Sequence, residues 1–322
     1  MKSDTGRLLI TGGAGFIGSN FIRYMLKVHP EYRIINLDKL TYAGNLDNLK
    51  DIEGNPNYKF MKGDVCDSSL ISNLVKKADV VVNFAAESHV DRSIESPDEF
   101  IKTNVLGTNN LLKCSLDAKV KRFVQISTDE CYGSIENGSF KETDSLTPNS
   151  PYSASKAAGD LIALSYWKTY GFPVVITRST NNFGSYQYPE KLIPLFITNI
   201  LEGKKVPLYG DGLNVRDWLY VEDNCEAIDL VLHEGKEGEI YNIGAKNELP
   251  NVEVTKMVLD ILGKDENFIE YVTDRPGHDK RYSVDISKIK ELGWSPRHDF
   301  DEALKLTVNW YKDNKWWWEK LK

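Results

Sequence analysis

The stretch Arg7-Leu8-Leu9-Ile10-Thr11-Gly12-Gly13-Ala14-Gly15-Phe16-Ile17-Gly18 joins a short apolar run to a turn in which glycine recurs at every third position. Beyond it Phe21 to Val28 is amphipathic, so the order reads strand, glycine turn, helix. Each glycine has a physical task in such a turn. The first makes the tight bend, the second lets backbone approach a pyrophosphate, and the third lets the helix pack on the strand, while the helix N-terminus supplies N–H donors and a positive dipole. Twenty residues past Gly18, Asp38 ends the next apolar run, where a carboxylate can bind the ribose hydroxyls of an adenosine. A carboxylate at that point repels the extra phosphate of NADP, so the four features together predict an NAD site.

Outward from this unit, Arg7 to Thr11, Arg33 to Asp38, Tyr58 to Lys62, Val80 to Ala85, Arg122 to Ser127 and Val174 to Arg178 read as strands, with helical stretches between most of them. Runs apolar on both sides, such as Val80-Val81-Val82, suit a parallel sheet covered on two faces. The expected fold is α/β, a Rossmann-type doubly wound parallel sheet over residues 1–180 followed by a smaller α/β substrate domain over 181–322, with the chain crossing back to the sheet. Past Arg178, segments rich in Gly, Pro, Asn and Asp, such as Gly184 to Pro189 and Tyr209 to Asn214, separate shorter helices that can build a pocket. At the C-terminus a helix beginning near Phe300 is expected to dock by an aromatic face. The adjacent Trp316, Trp317 and Trp318 cannot all share that face, which sends at least one of them to a surface or subunit contact.

Composition removes several classes of function. The chain has 322 residues, 41% of them hydrophobic, and 40 Lys+Arg against 47 Asp+Glu give a net charge of −7, so no global basic field exists to hold nucleic acid or an anionic membrane. Any anionic ligand must be held locally. Cys66, Cys114, Cys131 and Cys225 are too scattered for a disulfide framework or a CxxC zinc site and suggest a reducing compartment. The five histidines form no HExxH pair, and no metal is expected. No apolar run approaches the roughly 18 residues of a membrane span, and the N-terminus leaves no room for a signal peptide before the glycine turn. A soluble, cytoplasmic protein is the expectation.

Tyr152-Ser153-Ala154-Ser155-Lys156 places a phenol and an ammonium one helical turn apart on one face. A lysine there favours phenolate and can hold the nicotinamide ribose, giving a base for a hydroxyl proton as hydride leaves the carbon. Ser127-Thr128-Asp129-Glu130-Cys131-Tyr132-Gly133 follows a strand on the edge where such sheets open on their cofactor, and two carboxyls suit a reaction that removes a carbon-bound proton and protonates a leaving hydroxyl. With the glycine turn, the Tyr-Lys pair resembles the extended branch of the short-chain dehydrogenase/reductase family, which acts mainly on nucleotide sugars. Ser-Thr-Asp-Glu-x-Tyr-Gly, Ala85-Ala86-Glu87-Ser88-His89-Val90-Asp91-Arg92-Ser93 and Asn181-Asn182-Phe183-Gly184 through Tyr188-Pro189-Glu190-Lys191-Leu192-Ile193-Pro194 are similar to the dTDP-glucose 4,6-dehydratase family over essentially the whole chain. Cys131 stands where that family usually has Val, and Phe183 and Ser185 where Tyr and Pro are usual; the Cys131 thiol is read as packing.

The resemblance implies that Tyr152 takes the proton of the glucose 4-hydroxyl as NAD+ accepts hydride from C4. Glu130 then removes the C5 proton as Asp129 protonates the C6 hydroxyl, and hydride returns to C6, with Thr128 and Lys156 completing the catalytic set and NAD+ staying bound through turnover. It implies cofactor contacts from Gly12, Gly15, Phe16, Ile17, Gly18, Asp38, Lys39, Leu40, Thr41, Asp64, Val65, Ala85, Ala86, Glu87, Ser88, Thr103, Tyr152, Lys156 and Asn182. On the substrate side it implies His89, Thr128, Asn181, Lys191, Leu192, Pro207, Leu208, Tyr209, Arg216, Asn251, Asp274, Arg275, Pro276, Gly277 and His278 around dTDP-glucose. A homodimer follows from the family, through the stretches Ser96 to Leu116 and Ser153 to Tyr170. Asp129-Glu130 argues against a nucleotide-sugar 4-epimerase, a CDP-sugar dehydratase usually carries Lys at position 130, and intact Tyr152 and Lys156 argue against a non-catalytic NAD-binding module. A UDP sugar differs from a dTDP sugar by a methyl and a ribose hydroxyl, and both stay open on these residues.

Overall fold

The computed structural model describes residues 6–274 and 277–322. Its strands are β1 (Arg7–Thr11), β2 (Arg33–Asp38), β3 (Tyr58–Lys62), β4 (Val80–Asn83), β5 (Arg122–Thr128), β6 (Val174–Ser179), β7 (Asn181–Phe183), β8 (Val206–Tyr209), β9 (Val215–Tyr220), β10 (Ile240–Ile243), β11 (Glu248–Pro250) and β12 (Ile269–Val272). Seven of them form a sheet in the order β10-β6-β5-β4-β1-β2-β3, every neighbouring pair parallel. The order reverses between β1 and β4, which puts the ligand crevice of a doubly wound sheet at the C-terminal ends of those two strands.

Side-chain alternation shows why the sheet is covered on both faces. Leu8 and Ile10 of β1 and Val80 and Val82 of β4 enter one apolar core with Phe21, Ile22 and Met25 of the helix Phe16–Val28 and Ile228 and Val231 of the helix Val221–Glu234. Leu9 and Val81, one residue out of phase, enter the opposite core with Ile71 and Leu74 of the helix Ser68–Val75 and Leu111 and Leu112 of the helix Thr108–Asp117. Strand β4 stops two residues short of the expected Ala85. Asn83 closes it by accepting from Thr11 Oγ1 at 2.6 Å and donating to Gln125 Oε1 at 2.9 Å, and the chain then turns away over Gly12.

After β6 the chain builds a second layer. Strands β11-β9-β7 form a small mixed sheet and β12-β8 a parallel pair, with Phe183, Trp218, Leu208, Val258 and Leu304 among the residues of a separate core. The helix Val221–Glu234 and β10 return to the large sheet. Trp317 and Trp318 are buried in the second core while Trp316 lies at the surface, as three consecutive indoles require. The Trp317 Nε1–H donates to Asn48 Oδ1 at 2.7 Å, and Asn48 Nδ2 donates to the Ala14 carbonyl at 2.9 Å, so the end of the chain is tied to the glycine turn. Among the described residues no helix is long and apolar enough to cross a membrane.

Candidate active site

The glycine turn has the shape that its spacing implies. Gly12 has φ +71°, and a Cβ there would lie 2.5 Å from the Ala85 nitrogen; a Cβ on Gly18 would lie 2.5 Å from the Gly12 carbonyl oxygen. Among the described residues a Cβ on Gly15 meets nothing closer than 3.3 Å and faces a cleft, and no side chain caps the helix that starts at Phe16. This is a cradle in which an added Cβ would fill the space of a pyrophosphate. The Gly15→Ala protein is expected to keep its fold and lose NAD affinity, whereas Gly12→Ala loses stability by about 1–2 kcal/mol from its left-handed backbone alone, before the clash with Ala85. Thermal melts beside NAD titrations separate the two; equal NAD affinity in Gly15→Ala and the unaltered protein would remove the pyrophosphate assignment.

At the end of β2, Asp38 accepts from the Ala14 N–H at 2.9 Å and from the Leu40 N–H at 2.8 Å. Burial raises this carboxyl, and the two backbone donors pull it the other way. Leu40 reaches Asp38 through a positive φ of 57°. Lys39 pairs with Asp64 at 2.9 Å. Gly12, Gly15, Phe16, Ile17, Gly18, Asp38, Lys39, Thr41, Asp64, Val65, Ala85, Ala86, Glu87, Ser88 and Thr103 all line the one cleft. Leu40, Tyr152, Lys156 and Asn182 are not on its wall: Leu40 acts through its N–H, and Asn182 Nδ2 donates to the Thr180 carbonyl at 2.9 Å.

The two acids sit where β5 ends. Thr128 caps the single 3₁₀ turn Asp129–Tyr132, its Oγ1 accepting from the Glu130 N–H at 3.3 Å and donating to Asp129 Oδ1 at 3.2 Å. Asp129 is buried, with no hydrogen-bond partner for Oδ2 among the described residues. Burial, then Glu130 and Asp217, push its carboxyl well above the usual range, against the smaller effects of Thr128 and Arg216. A carboxyl whose proton is held more tightly in this way is suited to donate it to a leaving group. Glu130 lines a second cavity.

Tyr152 and Lys156 lie on the first turns of the helix Pro151–Tyr170, whose start is fixed by Pro151 and by a reciprocal cap between Ser150 and Ser153. Burial first, and Glu130 and Cys131 after it, raise the phenol well above its ordinary value, while the hydrogen bond from Thr128 lowers it. The expected lowering by Lys156 is not what dominates. The Lys156 ammonium donates to the Ile126 carbonyl at 2.6 Å, and burial lowers it against the pull of Asp160. The helical spacing gives one face, but the lysine stem turns from there to the strand. Burial also pushes the Cys131 thiol up to about 12, which fits a packing role.

Asn104 was not identified from the sequence as a site residue. It lies in a π-helical turn, Ile101–Gly107, and its side chain both accepts from the Glu87 N–H at 2.9 Å and donates to the Glu87 carbonyl at 3.0 Å and to Ser155 Oγ at 2.8 Å. It thereby ties the cofactor-side loop to the Tyr152 helix. A π turn is a frequent mark of a functional position, but no sequence pattern announces one. Gln187, Tyr188 and Glu190, which are not among the expected site residues, also line the first cleft.

The second cavity gathers His89, Asn181, Lys191, Leu192, Pro207, Leu208, Tyr209, Arg216, Asn251 and His278 with Glu130. Asp91, Phe196 and Trp218 join them without having been anticipated. Glu190 and Lys191 line both cavities, so the two meet there, and Lys191 Nζ donates to the Ser88 carbonyl at 3.0 Å. Burial, then Lys191, lower the His89 imidazole and favour its neutral form. Arg216 is buried, donates to the Val215 and Asp279 carbonyls at 2.7 and 2.9 Å and stacks 4.3 Å from the Tyr282 ring. Asp274 accepts at 2.6 Å from His278 beside Gly277, which has φ +66°. Arg275 and Pro276 lie outside the described residues.

A doubly wound parallel sheet, a glycine cradle with its spaced acid, and a Tyr-Lys helix beside a second cavity define an extended short-chain dehydrogenase/reductase with room for two ligands. Residues 9–307 match the family model described as GDP-mannose 4,6 dehydratase. The chain is 52% identical over 321 residues to a dTDP-glucose 4,6-dehydratase of Streptomyces antibioticus, covering 98% of this chain and 95% of that one. It is 54% identical over 304 residues to the low-salt glycan biosynthesis protein Agl12 of Haloferax volcanii, covering 94% and 98%. The solved structure of DesIV, a dTDP-glucose 4,6-dehydratase of Streptomyces venezuelae with NAD bound, matches with a TM-score of 0.96 at 53% identity, covering 98% of this chain and all of that one. The chain belongs to the nucleotide-sugar 4,6-dehydratase family, in its dTDP-glucose 4,6-dehydratase branch.

Proposed function

We propose that this chain is an NAD-dependent hydro-lyase that converts dTDP-glucose to dTDP-4-keto-6-deoxyglucose. The observation that carries this reading is the pair of acids on the turn after β5, a buried Asp129 next to a Glu130 that lines the cavity where a sugar would lie. An epimerase needs no such acid. When bound, NAD+ accepts a hydride from C4 of the sugar and returns it to C6.

Every other step belongs to the chain's own residues. Tyr152 takes the 4-hydroxyl proton, aimed by Thr128 on the phenol. The 4-ketone acidifies C5–H, and Glu130 removes that proton while Asp129 gives its own to the C6 hydroxyl, which leaves as water. Glu130 exchanges that proton with solvent and gives one back to C5, and the one taken by Tyr152 balances, through solvent, the one that Asp129 gave. The net change is loss of one water with no net oxidation. Gly12, Gly15, Gly18 and Asp38 would hold the cofactor, which stays bound because each turnover restores it. Lys191 and Arg216 would hold the sugar's pyrophosphate, with Asn181, Asn251 and His278 around the nucleotide.

The division of labour between residues 1–180 for cofactor and 181–322 for nucleotide sugar is supported by where the two cavities draw most of their walls. A homodimer through the Ser96 to Leu116 and Ser153 to Tyr170 stretches is supported by Ile101, Leu106 and Leu161, large apolar side chains about half exposed on adjacent helical faces. Cytoplasmic placement rests on free cysteines and on the intracellular supply of NAD and nucleotide sugars.

Incubation with dTDP-glucose should yield the alkaline absorbance of a 4-keto sugar and solvent deuterium at C5. Absence of either sinks the elimination, and a larger kcat/KM with UDP-glucose reassigns the nucleotide. Arg216→Ala is expected to raise the Kd for dTDP-glucose by about 10–100-fold, the effect of losing a hydrogen bond to a charged group. Lys312→Ala, at an exposed position, should change it less than twofold; equal effects measured by calorimetry would contradict a local pyrophosphate site.

A further inference from the structure

On the far side of the molecule from the cleft, His29, Asp229 and His233 converge. His29 closes the helix Phe16–Val28, whose 13 residues span about 20 Å at 1.5 Å each, and so stands that far from the glycine cradle. Asp229 and His233 are one turn apart on the helix Val221–Glu234. His29 Nε2 lies 3.0 Å from both Asp229 carboxylate oxygens, and His233 Nδ1 lies 3.0 Å from Asp229 Oδ1. One ligand atom from each residue falls within 4.8 Å of the other two.

Those spacings are close to the edges of a coordination shell. Ligand atoms at about 2.0–2.1 Å from a tetrahedral metal are about 3.3 Å apart, so an ion between the three groups asks for side-chain rotation rather than backbone movement. An imidazole bound to a metal needs its other ring nitrogen oriented by an acceptor. His233 has one, its Nε2 lying 2.8 Å from the Tyr32 hydroxyl, and the Glu31 carboxylate stands 3.9 Å from His29 Nδ1, at ion-pair distance. The three side chains are 12–22% exposed, which leaves a side open for a water as fourth ligand. Two imidazoles with one carboxylate suit zinc-class transition ions, not Mg²⁺ or Ca²⁺, which take oxygen sets.

We propose that His29, Asp229 and His233 bind one divalent transition-metal ion of the zinc class, clasping the helix Phe16–Val28 to the helix Val221–Glu234. The site is structural, since it stands apart from both cavities. The Asp229-x₃-His233 half is legible as a helical i,i+4 pair, but the third ligand comes from 200 residues away. The competing arrangement is a purely hydrogen-bonded cluster, in which His233 Nδ1 also meets the Asp229 carbonyl oxygen at 2.9 Å.

Equilibrium dialysis of the tag-free, chelator-treated full chain against ZnCl₂, and its absorbance with CoCl₂, decide between them. The site predicts one equivalent per chain, visible Co²⁺ bands of four- or five-coordinate N/O type, and a melting temperature raised by about 4 °C at Zn²⁺ a hundredfold above Kd. His29→Gln and His233→Gln should each lower affinity at least 30-fold while keeping wild-type dTDP-glucose turnover, which certifies their fold. No saturable binding up to about 1 mM Zn²⁺, a weak millimolar association being beyond any structural metal site, would overturn the proposal. So would unchanged binding in both variants, or an intense sulfur-to-cobalt charge-transfer band pointing to Cys66.

Discussion

Replacing Glu130 with Gln should lower formation of the 6-deoxy product by about 10²–10⁴-fold, the range for loss of a positioned general base, with NAD content and melting temperature unchanged. The turn that carries residue 130 is held by its own N–H on Thr128, and the side chain faces the cavity, so an isosteric amide leaves the backbone as it is. Oxidation at C4 does not use Glu130. Reduced nicotinamide should therefore accumulate when dTDP-glucose is added, visible by its absorbance. The variant also tests the partner acid. Glu130 is one of the charges raising Asp129, so removing that charge stabilises the Asp129 carboxylate and moves its titration to lower pH. In the unaltered enzyme the elimination is lost as pH rises through that raised value, because only the protonated form can donate. Carbon-13 NMR of labelled Asp129 in the two proteins reads the shift. Undiminished product, or an Asp129 titration that stays put or moves up, contradicts the assignment.

Asp160→Ala should be the most damaging single change to stability outside the glycine turn. The Asp160 carboxylate and the Arg178 guanidinium are both buried, 2.9 Å apart, with Ser127 Oγ donating to the same carboxylate oxygen at 2.9 Å and the guanidinium 4.7 Å from the Tyr132 ring. Removing the acid leaves a cation where water cannot reach it, a loss of about 3–5 kcal/mol, or roughly 4–7 °C in melting temperature for a chain of this size. Replacing both residues, as Asp160→Leu with Arg178→Met, should cost less than the single change because no charge is stranded. A single variant as stable as the double one contradicts this. Activity should fall further than stability. Asp160 is the acid that offsets the burial of Lys156 one turn earlier, so its loss makes that ammonium easier to deprotonate.

The sequence made some of these features visible and concealed others for physical reasons. The glycine turn, Asp38 and the first six strands are local patterns of spacing and alternation, and their boundaries are right to within two residues at each end. The walls of both cavities came mainly from family resemblance, because positions such as Pro207, Asn251 and His278 carry no chemistry that singles them out alone. Asn104 and the His29-Asp229-His233 group escaped because their partners are distant in the chain: Glu87 and Ser155 for the first, and a separate helix for the second. Lys156 shows a subtler limit. Helical spacing fixed its face, but its terminal nitrogen follows the nearest buried acceptor, the Ile126 carbonyl.

The terminal indoles carry a consequence for how the protein is made. Trp317 holds Asn48 and, through it, the Ala14 carbonyl in the glycine turn, and the Tyr311 hydroxyl donates at 2.5 Å to the Gln187 carbonyl on the wall of the same cleft. Domains form from the N-terminus as the ribosome delivers them, and here residue 48 waits for a partner 269 residues further along. The large sheet can assemble during translation, but its cofactor cleft acquires these two ties only after Tyr311 and Trp317 have emerged. A message cut before the codon of Tyr311 would thus yield a chain with every proposed catalytic side chain and a cofactor cleft lacking both ties.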